Sequence, residues 1–210
     1  MNEYFVPTGD SEIEFTEKRS RFIGRVWKVE TEQEALEHIR AMREQHWDAT
    51  HNVYAYIIRD EGVMRYSDDG EPGGTAGMPT LEVFRRENVT NFCCVVTRYF
   101  GGVLLGAGGL VRAYANSAKL ALDAAGISVM RPWVRCRVEC PYPLFERVRM
   151  EIEGRGGTVE GSDFTDKVAV TALLPLEQEE TFREKIVEIS AGSVSPELLG
   201  ECMRPVPVER

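Results

Sequence analysis

The sequence predicts an α+β protein of two domains, residues 1–130 and 134–205, and three observations carry that prediction. The tail from residue 134 orders its elements βαββαβ, which gives an antiparallel sheet covered by two helices. Upstream, a short β-branched run at residues 92–96 passes through a glycine-rich turn into a long amphipathic helix. Between the two, residues 127–133, with Arg131-Pro132-Trp133, read as a connector. With 210 residues, two small domains can each hold a real core.

Ile13 and Phe15 alternate with acids, and Phe22, Ile23, Val26 and Val29 follow a turn at residues 17–20, so residues 12–30 read as two strands. Thr31-Glu32-Gln33-Glu34 is a capping box that opens a helix with Ala35, Leu36, Ile39 and Met42 inward. Residues 53–58 are a strand, Asp60-Glu61-Gly62 a turn and residues 63–66 the hairpin partner. Residues 67–79 are dominated by Asp, Gly and Pro and form a loop with unusual backbone angles. Thr75 is placed to cap the next helix, with Pro79 in its first turn and Leu81, Val83 and Phe84 beyond. Leu110, Val111, Tyr114, Ala118 and Leu122 mark the inner face of the long helix, and Arg112, Asn116, Lys119 and Asp123 its polar face. Gly126 sits where a C′ glycine ends it. In the tail, residues 134–139 are a strand and 141–153 a helix with Leu144, Phe145, Val148 and Ile152 on one side. A hairpin at 158–164 and 167–174, a helix at 176–189 and a strand at 193–199 complete a ferredoxin-like unit.

The net charge of −9 excludes a whole-surface attraction to nucleic acid. A local basic patch remains, since Lys18, Arg19, Arg21, Arg25 and Lys28 crowd one hairpin. The first residues lack the basic and apolar regions of a signal peptide, and no apolar run approaches the ~20 residues that span a bilayer. The cysteines lack zinc spacing, so the expectation is a cytoplasmic protein with reduced, buried thiols, no metal and no cofactor.

Two glycine-rich stretches stand out. The turn at residues 101–109 is no Walker loop, because no Gly-Lys-Ser/Thr follows, and Gly106-x-Gly108 lacks the third glycine of a dinucleotide fingerprint. A tight crossover accounts for most of its glycines, and on that reading Gly108→Val should fail to fold. The flanking Arg98, Tyr99 and Arg112 are not required by packing. In the upstream loop Asp68, Asp69 and Glu71 invite a metal, but the alternation and terminal bidentate Glu of a calcium loop are missing.

Residues 70–79, Gly-Glu-Pro-Gly-Gly-Thr-Ala-Gly-Met-Pro, and the run from Val96 to Tyr114 resemble the paired signatures of the IMPACT family, in its bacterial YigZ-type branch. Residues 49–56, Ala-Thr-His-Asn-Val-Tyr-Ala-Tyr, are similar to the family's upstream motif. Leu104 departs from the pattern, standing where many members carry Lys. The resemblance implies a first domain like the second domain of a small-subunit ribosomal protein (β-α-β) and a second like the C-terminal domains of an elongation factor. It also implies control of translation. Eukaryotic members act by binding a large ribosome-associated regulator of the amino-acid-starvation kinase.

Enzyme chemistry has few candidates. His38 and His46 belong to a polar helix face or its end, as surface residues, while His51 is placed to reach either glycine loop and could pair with Glu71. There is no Gly-x-Ser-x-Gly elbow, and Cys93 and Cys94 lie mid-strand, where a thiolate is disfavoured. The sequence therefore predicts a non-catalytic binding module whose site combines Arg98, Tyr99, Gly101, Gly102, Gly108, Gly109, Arg112, Tyr114, His51, Glu71, Gly74 and Thr75. Arginine neutralises phosphate and tyrosine stacks on bases, and both types also anchor protein interfaces. The expected partner is RNA, the ribosome or a ribosome-associated protein, with no membrane and no DNA specificity. The alternative is a phosphate- or nucleotide-binding enzyme that uses residues 101–109 as a cradle.

Overall fold

The computed structural model of the chain describes residues 2–208. It divides into two compact units, one built on Tyr4–Val129 and the other on Met130–Arg204. Among the described residues no helix is long and apolar enough to cross a membrane.

The first unit runs β1 (Tyr4–Pro7), β2 (Ser11–Glu17), β3 (Ser20–Lys28), α1 (Glu32–Gln45), β4 (His51–Ile58), β5 (Val63–Ser67), α2 (Gly77–Arg86), β6 (Phe92–Tyr99) and α3 (Ala107–Ala125). Its five-stranded sheet has the order β2-β3-β6-β4-β5, antiparallel at every pairing. Successive side chains of a strand point to opposite faces, and both faces of β6 are covered. Cys94 and Val96 enter the core under α2 and α3, while Cys93 and Val95 enter a second core under α1. That two-sided burial is why the strand reads as an unbroken apolar run. Burial also pushes both cysteine thiols up, so neither ionises readily.

Local chemistry sets most element ends. Thr31 Oγ1 accepts from Glu34 N at 3.2 Å, and Glu34 Oε2 accepts from Glu30 N at 2.7 Å, so the cap closes on the residue before Thr31. Gly126, with φ of 72°, ends α3 as expected. The start of α2 differs from expectation. Thr75 does not cap it, because its hydroxyl donates to the Pro72 carbonyl at 2.6 Å. Asp68 does the work instead, accepting from Ala76 N at 3.0 Å and Gly77 N at 2.8 Å from eight and nine residues upstream. Leu36 and Val111, expected inside, are exposed at the edges of their helices' apolar stripes.

The close-approach glycine under α3 also differs. A Cβ on Gly108 would meet nothing nearer than Arg112 Nη1 at 3.5 Å, so the expected failure of Gly108→Val has no steric basis. The contact belongs to Gly24 on β3, where a Cβ would lie 2.9 Å from the Ser117 carbonyl oxygen of α3.

The second unit is built from β7 (Ile127–Cys140) from Met130 on, α4 (Tyr142–Gly154), β8 (Thr158–Phe164), β9 (Val168–Pro175), a 3₁₀ turn (Leu176–Gln178), α5 (Glu179–Ile189) and β10 (Glu197–Pro207) as far as Arg204. Its sheet has the order β7-β9-β8, with β10 also paired to β7. Within it β10-β7-β9-β8 is the ferredoxin-like strand order, over a core that includes Val138, Val148, Ile152, Leu174, Phe182 and Ile186. Two boundaries move. Residues 127–133 are not a connector but the first half of β7, because Ile127, Val129 and Met130 are buried. Pro132 is tolerated there because the ladder to β9 begins only at Trp133. The last strand begins at Glu197, not at 193, since Ser190 and Ser193 close a turn after α5.

Candidate functional site

The two glycine-rich stretches meet beside the central strand, and carboxylates hold the upstream one in shape. Asp68 Oδ2 accepts from Gly74 N at 2.8 Å, adding to its two bonds at the start of α2. Asp69, at φ of 46°, accepts from Asn52 N at 2.7 Å and pairs with Arg43 at 2.7 Å, while its carbonyl accepts from His51 Nδ1 at 2.8 Å. The acids that invite a metal reading are thus engaged by protein donors.

Glu71 closes the loop onto the sheet. It is buried, and Oε1 accepts from Arg98 Nη1 at 2.6 Å and from Tyr114 Oη at 2.7 Å. Its Oε2 lies 3.7 Å from His51 Nε2, too long for a hydrogen bond. His51 stands opposite Arg98 in the β4–β6 register, which brings the two side chains to one end of the sheet. Arg98 is only 5% exposed, with Nη2 3.3 Å from Ser20 Oγ and its guanidinium 5.5 Å from the rings of Phe22 and Phe100. Burial and the Glu71 carboxylate push the Tyr114 phenol far up, so it stays a donor.

Above this cluster opens a recess of about 370 Å³, lined by Thr50, His51, Glu71, Arg98, Phe100 and Leu104, among others. Its floor is the polar cluster and its rim is apolar, with Leu104 82% exposed and Phe100 45% exposed. Thr50 Oγ1 accepts from Phe100 N at 3.0 Å and fixes the rim to β4.

The structure separates residues that the sequence placed in one site. His51, Glu71, Arg98 and Tyr114 come together. Tyr99 points to the opposite sheet face, because neighbours on a strand alternate. There it bonds His46 Nδ1 at 2.8 Å and Asp48 at 3.1 Å, and burial with the Asp48 carboxylate pushes its phenol up. His46 is itself buried, contrary to expectation, with Nε2 2.9 Å from Arg25 Nη2; burial and then Arg25 pull its pKa down. Tyr114 is wholly buried, so its ring offers no face for stacking.

Gly101 is the pin of the turn: a Cβ there would lie 2.0 Å from the Arg19 carbonyl oxygen. Gly102 is exposed at φ of 80°, and Gly74 at φ of 77°. Gly108 and Gly109 form the first turn of α3. Arg112 is exposed and lines a separate cleft of about 350 Å³, together with Lys18, Glu17, Gly109 and Asn116. Leu105 and the rim residues Thr50 and Phe100 were missed from sequence. They carry no chemical signature, and only the meeting of the loops marks them.

The Impact N-terminal domain model matches residues 18–122, and a domain of unknown function, DUF1949, matches residues 138–193. IMPACT family member YvyE of Bacillus subtilis is 35% identical, over 91% of this chain and 89% of its own length. IMPACT family member YigZ of Escherichia coli is 30% identical, over 92% and 97%. The human protein named IMPACT is 33% identical over 105 residues, 48% of this chain and 33% of its own. A solved structure described as a hypothetical protein superposes with a TM-score of 0.60 at 30% identity, covering 93% of this chain and 97% of that one.

Proposed function

The chain belongs to the IMPACT family, and from that premise we propose that it is a cytoplasmic, non-catalytic regulator of translation that engages RNA, the ribosome or a ribosome-associated protein through its first unit. One observation carries the non-catalytic part. The arginine that enters the glycine turn, Arg98, is held at 2.6 Å by a buried carboxylate, so it is a strut and not a phosphate ligand. A nucleotide-binding enzyme would need a free cation facing the recess, and Arg98 is the only Lys or Arg in its lining. Thr50, the hydroxyl in that lining, accepts from Phe100 N at 3.0 Å, and His51 Nε2 lies 3.7 Å from the Glu71 carboxylate. A fixed polar floor under an apolar rim suits recognition of a partner's side chain or base.

Ribosome co-sedimentation from the host lysate, at low and moderate salt, tests the reading. The wild type is expected to pellet, and Phe100→Ala with Leu104→Ser is expected to move it toward the supernatant. Retention of the wild type in the supernatant at both salts would overturn the proposal. A nucleotide-induced rise in melting temperature would revive the enzyme. Pelleting that survives RNase would identify a protein partner.

A further inference from the structure

On the other side of Leu105 from the recess, the cations are free. Lys18 and Arg19 form the whole connection between β2 and β3, since Glu17 pairs directly with Ser20. Both have positive φ, 45° and 67°, which is the type I′ hairpin turn. That turn favours Asn-Gly, because a side chain in the left-handed region is strained. Two long cationic side chains therefore occupy positions where local geometry disfavours them. Their backbone is fixed, with Gly101 packed against the Arg19 carbonyl.

The rest of the basic hairpin is already paired. Arg21 meets Glu14 at 3.1 Å, Arg25 meets Glu12 at 2.7 Å and Lys28 meets Glu30 at 3.0 Å. Among the described residues Lys18, Arg19 and Arg112 have no ion pair, although acids outnumber bases by 34 to 25. Lys18 and Arg112 line the same cleft, and Gly109 of the first turn of α3 forms part of its wall. That first turn carries no acidic residue and no side-chain cap; Gly109 is its contribution to the cleft, while Gly106 and Ala107 line the recess. Glu17 is the acid in the cleft lining.

We propose that this cleft docks the phosphodiester backbone of RNA, with Lys18 and Arg112 of its lining as phosphate contacts and the exposed Arg19, next to Lys18 in the turn, as a third just outside the lining. Guanidinium forks match phosphate oxygens in pairs, and the ammonium adds a point charge. What favours RNA over an acidic peptide is the neighbour. Leu105 lines both the cleft and the recess, and the half-exposed ring of Phe100 in the recess lining offers a base a face for stacking. The inference rests on the translation reading above and assigns its contact surface.

The test is anisotropy of a fluorescent single-stranded RNA of about 16 nucleotides, titrated across salt. Each phosphate contact contributes a slope of about 0.7 in log K against log salt. Lys18→Asn with Arg19→Gly supplies the residues the turn prefers. This pair is expected to melt at or above the wild-type temperature while lowering affinity about tenfold and the slope by about 1.4. Arg112→Ala is expected to lower the slope by about 0.7 more, and Glu17→Gln to tighten binding. Inorganic phosphate at the same charge concentration is expected not to compete, which separates a backbone from a free-phosphate site. Unchanged affinity and slope in the Asn-Gly variant would overturn the inference. So would equal competition by polyglutamate. If the wild type pellets with ribosomes but these variants pellet equally, the surface is wrong and the translation reading stands. If the wild type neither pellets nor binds RNA, both fail.

Discussion

Two regions flank the same glycine turn with the same residue type and opposite physics. On the recess side, Arg98 is buried against Glu71 and Tyr114, and its charge is spent inside the protein. On the cleft side, Arg112 is exposed, and among the described residues it has no ion pair. Fourteen residues of sequence separate them and each flanks a glycine motif. The difference is one of partners: β6 delivers Arg98 to a carboxylate on a neighbouring loop, while α3 delivers Arg112 to solvent beside another cation. A buried charge must be paired to be tolerated, whereas an exposed one is nearly neutral for folding and free to bind. The recess side therefore holds the turn, and the cleft side presents it.

The strongest way to break this division is Gly101→Ala. A methyl group 2.0 Å from the Arg19 carbonyl must displace the turn and the hairpin together, so the variant is expected to lose soluble folded protein and both sides at once. Normal expression with a wild-type melting curve would refute the pinned turn. Glu71→Ala acts on the recess alone. It leaves the Arg98 guanidinium buried without its carboxylate, and chemical denaturation is expected to show a loss of about 3–5 kcal/mol. Tyr114→Phe removes one donor from the same carboxylate. The expected loss is about 1.5–3 kcal/mol, because hydrogen bonds to charged groups lie at the upper end of the range. Gly108→Ala should be the mildest. Its Cβ meets only Arg112 Nη1 at 3.5 Å, and replacing a helical glycine should raise stability by up to about 1 kcal/mol. A large loss there would restore the close approach that the sequence suggested.

Much of the fold was legible because periodicity reports burial. The ferredoxin-like order of the tail, the alternation of Ile13 and Phe15, the cap at Thr31 and the stop at Gly126 were all carried by local pattern. The buried start of β7 was not, because Pro132 and Trp133 look like punctuation until a partner strand is known. Site residues were harder. Arg98, Tyr99, Arg112 and Tyr114 all read as site residues in sequence, and only the pleat of β6 and the burial of α3 sort them into buried strut, opposite face, exposed surface and core. Asp68 capping α2 from eight residues away, and Gly24 admitting α3, are tertiary facts with no local signature. The Lys18-Arg19 turn does carry a local signal, since a two-residue hairpin loop without Gly or Asn departs from what its backbone favours.

The most direct test of the division is a paired measurement on Arg98→Ala and Arg112→Ala, each assayed for melting temperature and for RNA affinity at low salt. Arg98→Ala is expected to lower the melting temperature by several degrees, because Glu71 is left buried and unpaired. Arg112→Ala is expected to melt with the wild type and to bind RNA several-fold more weakly. The opposite pattern, a stable Arg98→Ala that has lost RNA and an Arg112→Ala that binds normally, would place the phosphate contact at Arg98 in the recess and contradict the account.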